Sequence, residues 1–268
     1  MLKNLMVHLD QGSRSTVRLE IAISLAKKNS ARLVGVFGQR ANYKGSGLIS
    51  TWPSDEHLAA GQASKKAFEQ ATKGLRSEWI DINSGDDSEM LALISEKARY
   101  FDLVIMGQHD ESVNTVTPAE LVDEVLSTSG RPVLVIPYVG NFSCEFKRPL
   151  IAWNASREAA HALNDALPLI VGCEEAIILS FDSSVSRAEK SCKEIAIQLA
   201  CHEIASKSEV MAIENIGIMD MLLNNACDQG ADLLVMGAHS HFGFPLMSRG
   251  AGTRHILKTM VLPVLMSS

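Results

Sequence analysis

The chain carries one pattern twice, and that duplication limits its folds more than any other feature. Phe101-Asp-Leu-Val-Ile-Met-Gly107 returns as Ala231-Asp-Leu-Leu-Val-Met-Gly237, and Arg131-Pro-Val-Leu-Val-Ile136 returns as Leu262-Pro-Val-Leu-Met266. The start of the chain repeats too, because Leu5 to Asp10 followed by Ser13-Arg14 answers Leu150 to Asn154 followed by Ser156-Arg157. A nearly constant separation between the members of each pair marks a duplicated unit of about half the chain. The 268 residues suit two domains, each large enough to bury a core of its own.

Each half reads as alternating strands and helices. In the first, Ser13 is the expected N-cap of a helix whose stripe is Val17, Ile21 and Leu25, with Lys27 and Lys28 near its end, where cations oppose the helix dipole favourably. In the second, Ser156 is the expected cap, Leu163, Leu167 and Ile170 form the stripe, and Pro168 shortens or kinks the helix. Further helices are expected over 64–75, 90–99, 186–206 and 219–229, with strands over 32–37, 78–82, 176–181 and 209–213. The two Asp-Leu-(Val/Leu)-(Ile/Val)-Met-Gly runs are almost continuously apolar, as strands covered on both faces of a parallel sheet must be. The expected fold class is α/β, with two repeated doubly wound parallel-sheet domains over 1–140 and 146–268. Between them Gly140, Asn141 and Ser143 interrupt the apolar pattern between two prolines. Residues 42–55 read as a long surface loop around Trp52, with a lid as the sharper reading.

Composition removes several function classes. A net charge of −6 gives no basic stripe for nucleic-acid phosphates. The apolar run at the N-terminus is broken by His8 and ended by Asp10, too short and polar for a signal peptide or a membrane span. The five cysteines are odd in number and never in a Cys-x-x-Cys pair, the usage of reduced thiols, so a cytoplasmic protein is expected. Cys192 and Cys201 lie out of phase on a helix and read as packing thiols.

In an open parallel sheet a ligand binds outside the carboxyl ends of the strands, where the strand order reverses. Asp10, Asn154, Phe181 and the loops after Gly107 and Gly237 belong there. The loop from Gly237 to His255 carries Gly243, Gly250 and Gly252, Arg249 and Arg254, three histidines and no acidic residue. Glycines let backbone amides approach phosphate oxygens, and a helix starting near Gly252 would aim its free amides at an anion. The matching segment from Gly107 to Val125 holds Asp110, Glu111, Glu120, Asp123 and Glu124 with no Lys or Arg, which repels a polyphosphate. His239 and His241 lack a third converging group for a metal.

On these motifs both halves resemble universal stress protein domains, and the whole resembles the tandem members of that family. The resemblance implies a Rossmann-like, adenine-nucleotide alpha-hydrolase-like fold, with the two halves forming a pseudo-dimer through their last strands. Nucleotide-binding members carry a glycine, two residues, a glycine, nine residues, a glycine and then a serine or threonine, with an aspartate ending the first strand. Gly237 and Gly250 match this pattern, Ser240 stands at the second glycine, and Ala251 stands where the hydroxyl is expected, with Thr253 two residues later. Asn154 replaces the aspartate, and its amide offers a donor and an acceptor to an adenine edge. The first half keeps Asp10 and Gly107 but has a degenerate phosphate loop. The resemblance therefore implies ATP or AMP, with or without magnesium, in the second domain. Its expected site comprises Asn154, Ala155, Phe181, Met236 as an adenine wall, Gly237, Ser240, Arg249, Gly250, Ala251, Gly252 and Thr253.

No Gly-x-Ser-x-Gly elbow, Walker lysine motif or metal cluster is legible, which favours a stress-response binding or regulatory protein over an enzyme. Two other readings stay open: a structural or signalling module that binds no nucleotide, and a slow ATPase. The expected partners are an adenine nucleotide and a second copy in a homodimer, with neither nucleic acid nor membrane.

Overall fold

The computed structural model describes residues 1–40, 52–84, 86–110, 116–212, 217–239 and 250–268. The chain divides into two compact units, Met1–Tyr138 and Val139–Ser268. Unit 1 contains β1 (Asn4–Leu9), α1 (Ser15–Asn29), β2 (Arg32–Phe37), α2 (Asp55–Ala71), β3 (Ser77–Asp81), α3 (Asp87–Ala98), β4 (Leu103–Gly107), α4 (Leu121–Thr128) and β5 (Val133–Ile136). Its strands lie in the order β3-β2-β1-β4-β5. Unit 2 contains β6 (Pro149–Ala152), α5 (Arg157–Ile170), β7 (Ala176–Phe181), α6 (Val185–Cys201), β8 (Ser206–Met211), α7 (Ile218–Asp228), β9 (Leu233–Gly237), α8 (Ala251–Thr259) and β10 (Val264–Ser267). Its order is β10-β9-β6-β7-β8. All strand pairs within each unit are parallel. The doubly wound α/β reading is therefore what each unit adopts.

The central strands show why. Leu103 to Met106 and Leu233 to Met236 are each at most 1% exposed, since helices cover both faces of the sheet. In unit 2, α5 lays Ala159, Ala162, Leu163, Ala166, Leu169 and Ile170 into the core at helical spacing. Leu169, rather than the expected Leu167, completes that face, and Pro168 sits in the last turn, where the helix stops two residues later. Ser156 caps α5 as expected, its hydroxyl accepting the amide of Ala159 at 3.1 Å. Ser13 does not cap α1: the N-cap is Arg14, which makes no capping side-chain bond, because the preceding turn is organised from Asp10 instead. Helix α2 begins nine residues ahead of the expected start at 64, capped by Ser54 with Asp55 and Glu56 in its first turn. That opening is a polar stretch whose periodicity is weak, and the cap rather than the apolar pattern marks it. Of the loop expected over 42–55, residues 42–51 lie outside the described residues. Trp52 is half-buried against the ring of His57, 4.5 Å between centroids.

The aspartate in each copy of the repeated motif has a specific task. Asp102 accepts the backbone amides of Lys3 at 2.7 Å and Asn4 at 2.9 Å, and its own amide donates to the Asn4 carbonyl at 2.8 Å. Asp232 does the same for Lys147 at 2.6 Å and Arg148 at 3.0 Å, with its amide on the Arg148 carbonyl at 3.2 Å. Each clamp fixes the start of the first strand of its unit beside the strand that the aspartate introduces. Among the described residues no helix is long and apolar enough to cross a membrane.

Candidate functional site

The strand orders put the reversal of winding between β1 and β4 in unit 1 and between β6 and β9 in unit 2. A crevice at the carboxyl ends of those strands is where this architecture holds ligands. Asp10 and Gly107 flank the first crevice. Asn154 and Gly237 flank the second.

In unit 2 the half-buried Asn154 follows β6, and its Oδ1 accepts the amide of Ser156 at 3.1 Å and the Ser156 hydroxyl at 2.7 Å. This turn is what holds the capping serine in place. Ala155 is exposed, with φ of 57°, a left-handed conformation that a residue with Cβ adopts at a cost. Phe181, at the end of β7, is 7% exposed, and Met236 is 1% exposed, so the proposed adenine wall is interior to the sheet. Gly237 is needed for packing, because a Cβ there would lie 2.6 Å from the Glu158 carbonyl carbon and 2.7 Å from the Ala159 nitrogen. The first turn of α5 packs directly on this glycine.

The loop beyond Gly237 returns at Gly250, the N-cap of α8, in the left-handed region at φ 81°. Ser240 and Arg249 lie outside the described residues. His239 donates its backbone N–H to Thr253 Oγ1 at 2.8 Å, so Thr253, 3% exposed, ties the loop's outgoing end to its returning helix. A Cβ on Gly250 would stand 3.0 Å from the His239 ring and 3.1 Å from the Arg254 guanidinium, whose side chain is at the surface. Ala251 and Gly252 are half-buried, and Gly252 has Met219 of α7 against it. The first turn of α8 carries no acidic residue. Its own first turn thus sets no carboxylate against its amides and dipole at the carboxyl edge of the sheet. One turn along, His255 Nε2 meets Asp220 Oδ1 of α7 at 2.8 Å, a pairing across elements that sequence spacing could not reveal. Among the described residues no group of three potential metal ligands converges.

Unit 1 differs at each point. The helix that answers α8 is α4, with Glu120 as N-cap and Asp123 and Glu124 in its first turn, so carboxylates already occupy the positive end of its dipole. Asp10 is 8% exposed and fully engaged. Its Oδ1 accepts from Gly12 N at 2.7 Å and Ser15 Oγ at 2.6 Å, and its Oδ2 pairs with Arg18 Nη2 at 2.8 Å. Burial pushes the Asp10 carboxyl upward, but Arg18, His8 and the Ser15 and Gly12 hydrogen bonds together outweigh it and bring it to about 2. Arg18, 5% exposed, also donates through Nε to the His8 carbonyl at 3.2 Å and through Nη2 to Ser15 Oγ at 2.8 Å. His8 is held neutral by burial against the opposing pull of Asp10, with Nε2 on the Gly38 carbonyl at 2.8 Å. A Cβ at Gly107 would fall 2.2 Å from Arg18 Nη1. Sequence reasoning overlooked Arg18, although its spacing to Ala22 and Leu25 places a charged residue on the apolar stripe of α1, eight positions after an aspartate that ends a strand.

A model of the universal stress protein family matches residues 1–137. No curated protein matches the chain. Among solved structures, a universal stress protein from Archaeoglobus fulgidus DSM 4304 is similar at TM-score 0.75 and 16% identity, over 99% of this chain and 96% of that one. A functionally unknown protein from Pseudomonas aeruginosa PAO1 is similar at TM-score 0.61 and 13% identity, over 99% and 92% of the two chains. The cytoplasmic domain of a prokaryotic cation chloride cotransporter is similar at TM-score 0.53 and 14% identity, over 99% and 95%. At such identities the three structures speak to the fold. With the family model spanning half of the sequence and the parallel α/β units matching it, the chain belongs to the universal stress protein family.

Proposed function

We propose that this universal stress protein is a cytoplasmic binding or regulatory protein that takes one adenine nucleotide, ATP or AMP, in the crevice of unit 2. The observation that carries the reading is the start of α8. Its N-cap is a left-handed glycine, its first turn lacks a carboxylate, and Arg254 stands beside the cap at the carboxyl end of β9. An anion gains there from free amides, dipole and guanidinium together. Gly250 to Thr253 would cradle the phosphates, Arg249 and Ser240 would join from the preceding loop, and Asn154, Ala155 and Phe181 would border the base. Magnesium, if it accompanies ATP, would be held chiefly by the phosphates and water.

A second reading, a signalling module without nucleotide, draws on the way the side chains of this crevice satisfy one another. Asn154 is spent on Ser156, and Thr253 accepts from the His239 amide. A slow ATPase is the third reading, and phosphate release above the level of a binding-deficient variant would identify it.

Gly107→Asp would be an unsuitable control for Gly250→Asp, because Gly107 packs on the buried Arg18. Gly172 is the better control: it is left-handed like Gly250, at φ 87°, with nothing within 4 Å of a Cβ, and it follows α5 at the opposite end of the sheet. Titration calorimetry should find one ATP per chain. Gly250→Asp should weaken it by about tenfold or more, about 1.4 kcal/mol, while Gly172→Asp, matched for backbone strain, leaves it unchanged. Equal weakening by both, or none by Gly250→Asp, would hand the case to the module without nucleotide.

A further inference from the structure

The two crevices are equivalent in topology and unlike in contents. In unit 1 a buried guanidinium lies directly over the glycine that ends β4, near enough that a single added carbon on Gly107 would collide with it. Arg18 does not reach that place by chance rotamer. Asp10, Ser15 and the His8 carbonyl grip it from three sides, and its side chain is 6% exposed. The same grip uses up Asp10, whose Oδ1 serves Gly12 and Ser15 while Oδ2 serves Arg18. In unit 2 the nearest atoms to the corresponding glycine belong to the backbone and Cβ of the first turn of α5, and Asn154 bears no charge to hold a cation.

We propose that Arg18 is a built-in occupant of the unit 1 crevice, filling the room over Gly107 and claiming the carboxylate of Asp10, so that this crevice is closed to an adenine nucleoside. The proposal rests on the reading of these crevices as nucleoside sites. It assigns Arg18 the part of a specificity determinant: one residue sets how many ligands the chain accepts. Chemistry also fixes what the opened crevice would take. A carboxylate freed from Arg18 accepts hydrogen bonds from the amino group of a base or the hydroxyls of a ribose. Glu120, Asp123 and Glu124 at the start of α4 remain, and they repel phosphates. The ligand is therefore the uncharged nucleoside, adenosine, and not ATP.

The test uses the full chain carrying Gly250→Asp, so that unit 2 is disabled, and measures adenosine by equilibrium dialysis. The background chain should bind adenosine weakly or not at all. Adding Arg18→Ala should raise the affinity by about tenfold or more at one adenosine per chain, and adding Asp10→Ala to that variant should abolish the gain. Arg18→Gln, neutral and shorter yet able to hydrogen-bond the His8 carbonyl, carries the same expectation if Arg18→Ala fails to fold. A variant with an unaltered circular dichroism spectrum and a cooperative melt that binds adenosine no better than the background would overturn the proposal. So would a gain that survives Asp10→Ala. Failure of the nucleotide reading itself would appear separately, as absence of ATP binding in the unmodified chain, and leaves the dialysis result readable.

Discussion

His57 shows most directly how one side chain ties the sequence to the behaviour of the folded chain. It lies in the first turn of α2, 4% exposed, between the rings of Trp52 and Phe37, and both of its ring nitrogens are buried without a hydrogen-bond partner among the described residues. Burial lowers its pKa, opposed by the Asp81 carboxylate at the end of β3. The sign follows from proton counting. The folded state binds fewer protons than the unfolded state between the depressed folded pKa and the ordinary value of 6.5, so the stability that neutral His57 allows is complete above 6.5 and drains away as pH falls below it. His57→Phe keeps a ring in place and removes two unsatisfied nitrogens. Urea unfolding of this variant should show a shallower loss of stability between pH 7 and pH 5 than the parent, with the residual slope supplied by His8, which burial also holds neutral. A parallel pH dependence in parent and variant would contradict this account.

At the scale of the element, the helix starts differ in what their neighbours permit. The first turn of α5 rests on Gly237 so closely that Gly237→Ala must drive the helix away from β9, since backbone atoms cannot rotate aside. Denaturant unfolding should register a loss of about 2–3 kcal/mol for Gly237→Ala. Gly230→Ala, left-handed but in open space, should lose about 1 kcal/mol from backbone strain alone. Comparable losses would mean that β9 and α5 slide apart freely. The elements themselves were largely legible. Period, caps and duplicated strands placed the helices and strands of both units, because each relies on a local pattern that one stretch of chain can display. The crevices were less legible. The lack of acid in the first turn of α8 and its abundance at α4 could be read directly, whereas the Arg18 guanidinium over Gly107, the α5 backbone over Gly237 and the His255–Asp220 pair are juxtapositions that only the folded chain creates. Glycine in a strand announces close approach but does not say of what.

Over the whole molecule, the two units share one strand order and differ at the helix starts beside their crevices. The family model matches residues 1–137, which include the buried Arg18–Asp10 pair, while the unacidic helix start belongs to unit 2. What both units keep in common is the pair of aspartate clamps, and these join segments of chain far apart in the sequence. Asp102 grips amides 98 and 99 positions earlier, and Asp232 grips amides 84 and 85 positions earlier. On a ribosome β1 emerges early and can pair with β2, yet its other edge stays bare until β4 has been synthesised. Such distant closure is slow, and an unpaired apolar edge invites the wrong partner while it waits. Asp102→Ala should therefore delay refolding in stopped-flow fluorescence and raise the aggregated fraction, more than it shortens the lifetime of the finished fold. A change confined to the unfolding rate would show that the clamp forms only after the strands have met. If refolding does slow, the aspartate repeated in each half is a timing device: it decides when a newly made unit stops being a hazard to its neighbours in a crowded cell.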